Sequence, residues 1–370
     1  MIVKNLNLNN FRLYETFKIS FNDHINIIKG NNGQGKTTIL ESLYFLGLTK
    51  SHKTNNDKDV IKNNTQYAKI NSLINFKEKD SQLSVVVSKT GKKAKYNQIE
   101  LSKLSEYIGI LNVVMFAPED IELIKGNPQL RRRFLDLEIG QISKKYLFNL
   151  QNYRKILKER NNLLKSMQQK QVKDYILLDI ITDQLLGYLD EIVKTRKDFL
   201  EKISDIAVLK YQEISKSSDE LLIQYVPSID NNYKTEFSSK YQYDIVTGST
   251  SYGVHKDDVE FYLNSKPAKT HCSQGEIRTI VLSIKLALID FIKNVKGDYP
   301  ILLLDDVLSE LDEKRQNQLL KNLNINTQVF ITTTNIKEIN FNKMENYKIF
   351  EINNGQIKEC IKDEPNLWFK

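Results

Sequence analysis

Two groups of residues carry the most chemistry. Gly30-Asn31-Asn32-Gly33-Gln34-Gly35-Lys36-Thr37 spells G-x-x-x-x-G-K-[ST], the pattern of a phosphate-cradling loop. Glycines let the backbone curl until its N–H groups converge on phosphate oxygens, and the dipole of the following helix favours the anion there. Gly30, Asn31, Asn32, Gly33, Gln34, Gly35, Lys36, Thr37 and Thr38 are therefore read as the nucleotide-binding residues. Lys36 would reach the β- and γ-phosphates, and the Thr37 hydroxyl would face magnesium. The second group ends the apolar run Pro300-Ile301-Leu302-Leu303-Leu304 in Asp305-Asp306. Asp305 fits a magnesium-holding carboxylate, and Asp306 fits the group that polarises an attacking water.

A phosphate loop and an acidic strand end occur together in kinases, GTPases, helicases and ABC-type ATPases alike. Ser273-Gln274-Gly275-Glu276 opens a helix and resembles the signature motif of ABC ATPases. In such proteins the serine and helix N-terminus complete the nucleotide site of a second subunit. The same four residues also spell an ordinary capping box. Ser309-Glu310-Leu311-Asp312, directly after the Asp pair, resembles the D-loop of the same class.

Further segments narrow the resemblance. Phe11-Arg12, Ser51-His52-Lys53-Thr54, Phe116-Ala117-Pro118-Glu119-Asp120, Lys125-Gly126-Asn127-Pro128, Arg131-Arg132-Arg133-Phe134-Leu135-Asp136 and His255-Lys256-Asp257-Asp258 join the motifs above. Over nearly its full length the chain resembles the RecF family of SMC-like ABC ATPases. The resemblance implies an α/β P-loop NTPase of the ABC type, an SMC-like ATPase head with a helical second lobe and no long coiled coil. It implies ATP and Mg2+ as cofactors, weak DNA-dependent ATP hydrolysis and an ATP-dependent homodimer. Single- and double-stranded DNA at gaps is the implied ligand, with RecO and RecR as partners in loading RecA during replication, recombinational repair and the SOS response. Arg12 is implied to approach the nucleotide. Three departures stand out: Gly253-Val254-His255-Lys256 replaces Gly-Pro-His-Arg, Glu276-Ile277 replaces a Gln pair in the signature, and Thr333 and Thr334 stand where many ABC ATPases place a switch histidine.

The elements that must position these groups are legible as strands at Ile25 to Lys29, Ile301 to Asp305 and Gln328 to Thr332, with helices at Lys36 to Leu48 and from about Gly275 to Lys293. Between Pro128 and Pro227 there is no proline, and Leu147, Leu150, Tyr153, Leu157 and Leu164 recur at helical spacing. The expected organisation is an ATPase lobe over 1–120 and 245–370, split by a helical lobe over 121–244. Asn354-Gly355 marks a hairpin.

The chain has 370 residues and a formal net charge of +8, and the window from Ile121 to Lys173 alone carries 13 basic against four acidic residues. Such a localised field suits a polyanion, and Arg131, Arg132, Lys155 and Lys158 are the candidate DNA contacts, although helical neighbours point different ways and one of Arg131 to Arg133 is expected to turn inward to a carboxylate. Two cysteines 88 positions apart exclude a disulfide framework or a structural zinc site and suit a reducing cytoplasm. No signal peptide or membrane span is expected. The alternatives are another SMC-like DNA-repair ATPase, an ABC transporter cassette or a P-loop small-molecule kinase.

Overall fold

The computed structural model describes residues 1–169, 174–229, 232–308, 311–322, 326–335 and 346–360. By backbone proximity the chain divides into two units. The first contains Met1–Asp120, Glu213–Ser215 and Leu282–Lys370; the second contains Ile121–Gln212 and Lys216–Val281.

The first unit is built on two sheets. The antiparallel one contains β1 (Ile2–Val3), β2 (Asn5–Phe11), β3 (Tyr14–Ser20), β5 (Tyr67–Phe76), β6 (Lys79–Ser88), β7 (Gly91–Tyr96) and β8 (Ile99–Glu100). Its order is β3-β2-β5-β6-β7-β8, with β1 paired to β5. The other sheet contains β4 (Ile25–Lys29), β9 (Val113–Phe116), β13 (Ile301–Asp305), β14 (Val329–Thr333), β15 (Tyr347–Asn353) and β16 (Gln356–Cys360), in the order β16-β15-β4-β14-β13-β9. All its pairings are parallel except the β15–β16 hairpin. Strands buried on both faces need apolar residues without alternation, and all five residues of β13 are buried. The helices of this unit include α1 (Lys36–Leu48), α2 (Leu104–Tyr107) and α11 (Glu313–Asn322), together with the part of a longer helix from Leu282 to Lys296. One apolar cluster joins both sheets and α1 through Phe11, Phe45, Leu83, Leu303 and Phe330.

The second unit is mainly helical: α3 (Glu122–Lys125), α4 (Pro128–Ile142), α5 (Lys144–Gln169), α6 (Tyr175–Ser215), α7 (Tyr233–Ser239), α8 (Tyr241–Thr247), α9 (Ala268–His271) and the first part of α10 (Gln274–Lys296). Asn127 caps α4 by accepting from the Leu130 N–H, with Pro128 in the first turn where no amide donor is needed. Contacts at Lys145–Glu191 and Arg160–Thr182 show that α5 and α6 run antiparallel as a helical hairpin. A small sheet of β10 (Leu221–Val226), β11 (Asp258–Leu263) and β12 (Lys266–Pro267) completes the unit.

Residues 245–281, assigned on sequence to the ATPase lobe, pack instead with the helices. The cause is pairing: β11 hydrogen-bonds along its whole length to β10, and its first residue, Asp258, holds Arg131 of α4. A strand motif next to ATPase motifs looks as if it belongs with them, but its hydrogen bonds decide otherwise.

Two fully buried guanidiniums organise this unit. Arg160 meets Asp244 at 2.8 Å and Thr250 at 2.7 Å, with the rings of Phe237 and Tyr241 alongside. Arg196 is held by Asp136, Asp257, the Tyr146 hydroxyl and the Val254 carbonyl. Removing one partner of a buried pair strands the other charge, which costs more than the pair contributes. Asp244→Ala should therefore destabilise the helical unit by about 3–5 kcal/mol. Urea unfolding followed by circular dichroism measures this; a loss below about 1 kcal/mol would mean water reaches Arg160.

Candidate functional site

The phosphate loop leaves the carboxyl end of β4, a central strand flanked by β14 and β15. Gly33 and Gly35 have φ of +80° and +106°, a region that side chains disfavour. Gly30 and Gly35 are also confined by space. A Cβ at Gly30 would lie 2.6 Å from the Ile352 carbonyl oxygen, and one at Gly35 would lie 2.6 Å from the Tyr14 hydroxyl. Lys36, the first residue of α1, donates from Nζ to the carbonyls of Gly30 at 2.6 Å and Asn31 at 3.0 Å. Its ammonium therefore fills the curl of the loop. Burial lowers its pKa, while Asp306 and Asp305 act in the opposite sense.

Thr37 and Asp305, 268 positions apart, meet: the Thr37 hydroxyl donates to Asp305 Oδ1 at 2.9 Å. Asp305 also accepts from the Thr332 hydroxyl at 2.8 Å. Burial raises its pKa, and the two hydroxyl hydrogen bonds oppose that shift. A desolvated carboxylate beside a hydroxyl oxygen is a hard-ligand pair short of positive charge. No cluster of three or more His, Cys, Asp or Glu suited to a metal occurs among the described residues. That donor set fits magnesium, which takes one or two protein oxygens and completes its shell with phosphate and water. Asp306, at the turn after β13, has φ of +54° and donates its N–H to the Thr332 hydroxyl at 2.9 Å.

Arg12, expected at the nucleotide, sits in the β2–β3 turn and is committed elsewhere. Its Nε and Nη2 bind Glu41 of α1 at 3.0 and 2.6 Å, and its Nη1 binds the Asp59 carbonyl. Glu41 also accepts from Ser51. The pair fastens the turn to α1, so that Leu13 and Tyr14 lie against Gly35. His52 packs edge-on to Tyr44, and burial brings its pKa down to about 4, so it stays neutral at neutral pH. A further wall was not legible in sequence. The Asn354-Gly355 turn donates the Asn354 N–H to the Gln34 side chain, and Gly355 lies beside Leu13 and Tyr14.

Ser273 and Glu276 form a reciprocal capping box: the Glu276 carboxylate accepts from the Ser273 N–H at 2.7 Å, and the Ser273 hydroxyl accepts from the Glu276 N–H at 3.3 Å. Ser273 and Gln274 are exposed, with Gly275 half-buried behind them. The serine keeps its own hydroxyl proton to donate. Of the D-loop segment, Ser309 and Glu310 lie outside the described residues; Leu311 is buried, and Asp312 accepts from the Arg315 N–H at the start of α11. Thr333 closes a local turn with Asn335, and Thr334 is exposed.

The basic candidates separate. Arg131 is 5 % exposed and paired in two places with Asp258, so it is removed from the DNA-contact set. This is the inward-facing arginine of the triplet, and its role is to anchor β11. Arg132 is half-buried and donates to the Asp257 carbonyl. Lys155 and Lys158 are exposed on α5. The His255-Lys256-Asp257-Asp258 motif works inside the same unit. His255 accepts from the Tyr153 hydroxyl and donates to the Thr250 carbonyl, and burial lowers its pKa to about 4.

A phosphate loop on a central parallel strand, with an acidic strand end one strand away across β14, makes a P-loop NTPase, and the signature-like serine together with the family match places it among ABC-type ATPases of the SMC-like form. Residues 2–358 match the RecF/RecN/SMC N-terminal domain family. The chain is 43 % identical to the DNA replication and repair protein RecF of Bacillus velezensis, covering 96 % of this chain and 100 % of the relative. It is 42 % identical to the RecF of Geobacillus kaustophilus over 96 % and 99 %. A solved structure of the recombination mediator protein RecF with ATP, in the RecFOR pathway, superposes with a TM-score of 0.90 at 30 % identity, covering 97 % and 98 %. An Smc head bound to the C-winged helix domain of ScpA shares the fold alone, at 16 % identity and a TM-score of 0.57 over 98 % of each chain. The chain belongs to the RecF family.

Gly35→Ala places a methyl against Tyr14 in a backbone region alanine avoids. The variant should keep its circular-dichroism spectrum and lose at least tenfold in ATP affinity by equilibrium titration. Unchanged affinity would show that the loop does not need its left-handed turn.

Proposed function

We propose that this protein is an ATP-dependent DNA-binding protein of replication and recombinational repair, a slow ATPase whose dimerisation is the working step. The observation that carries the reading is the meeting of Thr37 and Asp305 beneath a loop already filled by an ammonium group. On nucleotide binding, Lys36 exchanges the Gly30 and Asn31 carbonyls for β- and γ-phosphate oxygens. Magnesium held by Thr37 and Asp305 would neutralise phosphate charge. Asp306 orients and polarises the attacking water; it is one methylene shorter than glutamate, which suits slow turnover. Ser273, Gln274 and Gly275 of a second copy meet the γ-phosphate from the far side, with the D-loop residues Ser309 to Asp312 at the same junction.

DNA is held by exposed cations, with Lys155 and Lys158 foremost and Arg132 at the margin, on single- or double-stranded DNA near gaps. The names of the relatives support replication, repair and recombination as the setting. RecO and RecR as partners, loading of RecA, the SOS response and a cytoplasmic location follow from the family reading; among the described residues no helix is long and apolar enough to cross a membrane.

Lys36→Arg should fold normally and lose ATP-driven dimerisation in sedimentation, because a planar fork cannot replace a compact ammonium between phosphates. Ser273→Arg should also abolish dimerisation. Mixing the two variants should restore part of the ATPase activity, since one composite site of the mixed dimer is intact. A Ser273→Arg variant that dimerises and hydrolyses ATP normally would reduce the serine to a helix cap.

Charge reversal at Lys155 and Lys158 should weaken DNA binding similarly on unrelated sequences and flatten the salt dependence of affinity by about one to two in log–log slope. Fluorescence anisotropy at several salt concentrations measures this. An unchanged slope would place the DNA contacts on other residues.

A further inference from the structure

Thr332 does something that neither its sequence context nor the comparisons assign. β14 lies between the strand of the phosphate loop and the strand of the acidic pair, with Thr332 in register with Ile28 on one side and Asp305 on the other. Its side chain is 1 % exposed. The hydroxyl donates to Asp305 Oδ1 at 2.8 Å and accepts from the Asp306 N–H at 2.9 Å. One oxygen thus touches both consecutive acids, through the carboxylate of the first and the backbone of the second.

Each bond has a distinct consequence. Asp305 Oδ1 receives two hydroxyls, from Thr37 and Thr332. The Thr37 hydroxyl can turn a lone pair toward a cation while its proton stays on Asp305, so this bond has to survive a change of duty. Thr332 sits on a central strand, so its hydroxyl is a second and fixed anchor for the carboxylate rotamer. Asp306 has φ of +54°, a conformation that disfavours residues with a side chain and persists only where neighbours fix it. The bond from its N–H to Thr332 fixes that turn and so directs the Asp306 side chain. Thr333 and Thr334, the sequence candidates at this strand end, make no such link: Thr333 closes its own turn and Thr334 faces solvent.

We propose that Thr332 is the positioning residue of this ATPase, a single hydroxyl that sets the Asp305 carboxylate for the cation and the Asp306 backbone for the attacking water. The inference rests on the hydrolytic reading of the Asp pair. It predicts that the hydroxyl matters for turnover and little for nucleotide binding. Small displacements of a catalytic group cost up to about 100-fold in rate.

The test uses the full chain and three variants: Thr332→Val, which keeps shape and removes the hydroxyl; Thr332→Ser, which keeps the hydroxyl; and Asp306→Asn as a reference. Thr332→Val should lower kcat by roughly 10- to 100-fold. Its affinity for ATP without magnesium, read by equilibrium binding of a fluorescent ATP analogue, should stay within about twofold, because the phosphate loop is untouched. Thr332→Ser should recover most of the rate. Thr332→Val in the Asp306→Asn background should have little further effect on hydrolysis.

Two outcomes overturn the proposal: normal kcat in Thr332→Val, or equal loss in the valine and serine variants. If Asp306→Asn itself hydrolyses ATP normally, the hydrolytic reading fails instead. If Asp306→Asn is inactive while Thr332→Val is normal, the reading stands and the role of Thr332 falls.

Discussion

Everything in the first unit turns on bringing a hydroxyl at position 37 within hydrogen-bond reach of a carboxylate at position 305. Neither strand end can meet this requirement alone. β4 and β13 are not neighbours; β14 is interposed, and the registers Ile28–Thr332 and Asp305–Thr332 set the offset between the two motifs. A slip of one residue would put Ile331 or Thr333 in register with Asp305 and turn the Thr332 hydroxyl to the other face of the sheet. The apolar cluster that unites α1 with both sheets therefore has a geometric role beyond stability. It fixes where the helix after the phosphate loop begins relative to the acidic strand.

The second unit solves a different problem. It has many cations and must keep the chain compact while presenting some of them outward. Arg131, Arg160 and Arg196 are turned inward against Asp258, Asp244, Asp136 and Asp257. Each carboxylate is well separated in sequence from the arginine it meets, so these pairs also knit distant segments together. Lys155 and Lys158 remain on the surface. A basic stretch of sequence is thus a mixture of internal struts and external charge.

Local chemistry was readable and long-range pairing was not. The strand at Ile25–Lys29, the helix at Lys36–Leu48 and the strand at Ile301–Asp305 follow from apolar runs, glycine punctuation and helical spacing, and the structure has them at those limits. The capping box at Ser273 and Glu276 was legible because both its bonds are local. The inward turn of one arginine in the Arg131 to Arg133 triplet could be expected from helix geometry, but not which one, since that depends on Asp258 arriving from 127 positions away. The boundary near 245 was misplaced because strand partners are not encoded in a strand's own pattern. Thr332 was passed over for Thr333 and Thr334 because one threonine among three looks like any other until the neighbouring strand is in place.

The position of β4 has a consequence for how the chain is made. Both its neighbours, β14 and β15, come from the far end of the sequence. On a ribosome adding about 5–20 residues per second, the apolar residues Ile25, Ile27 and Ile28 wait on the order of 15 to 65 seconds for strands to pair with. During that interval the nascent segment is an open sheet edge followed by a glycine-rich loop, the kind of surface that invites wrong partners. The Asn354-Gly355 turn can pack against Gln34 only after residues 354 and 355 have been made, so until then the phosphate-loop sequence lacks that wall.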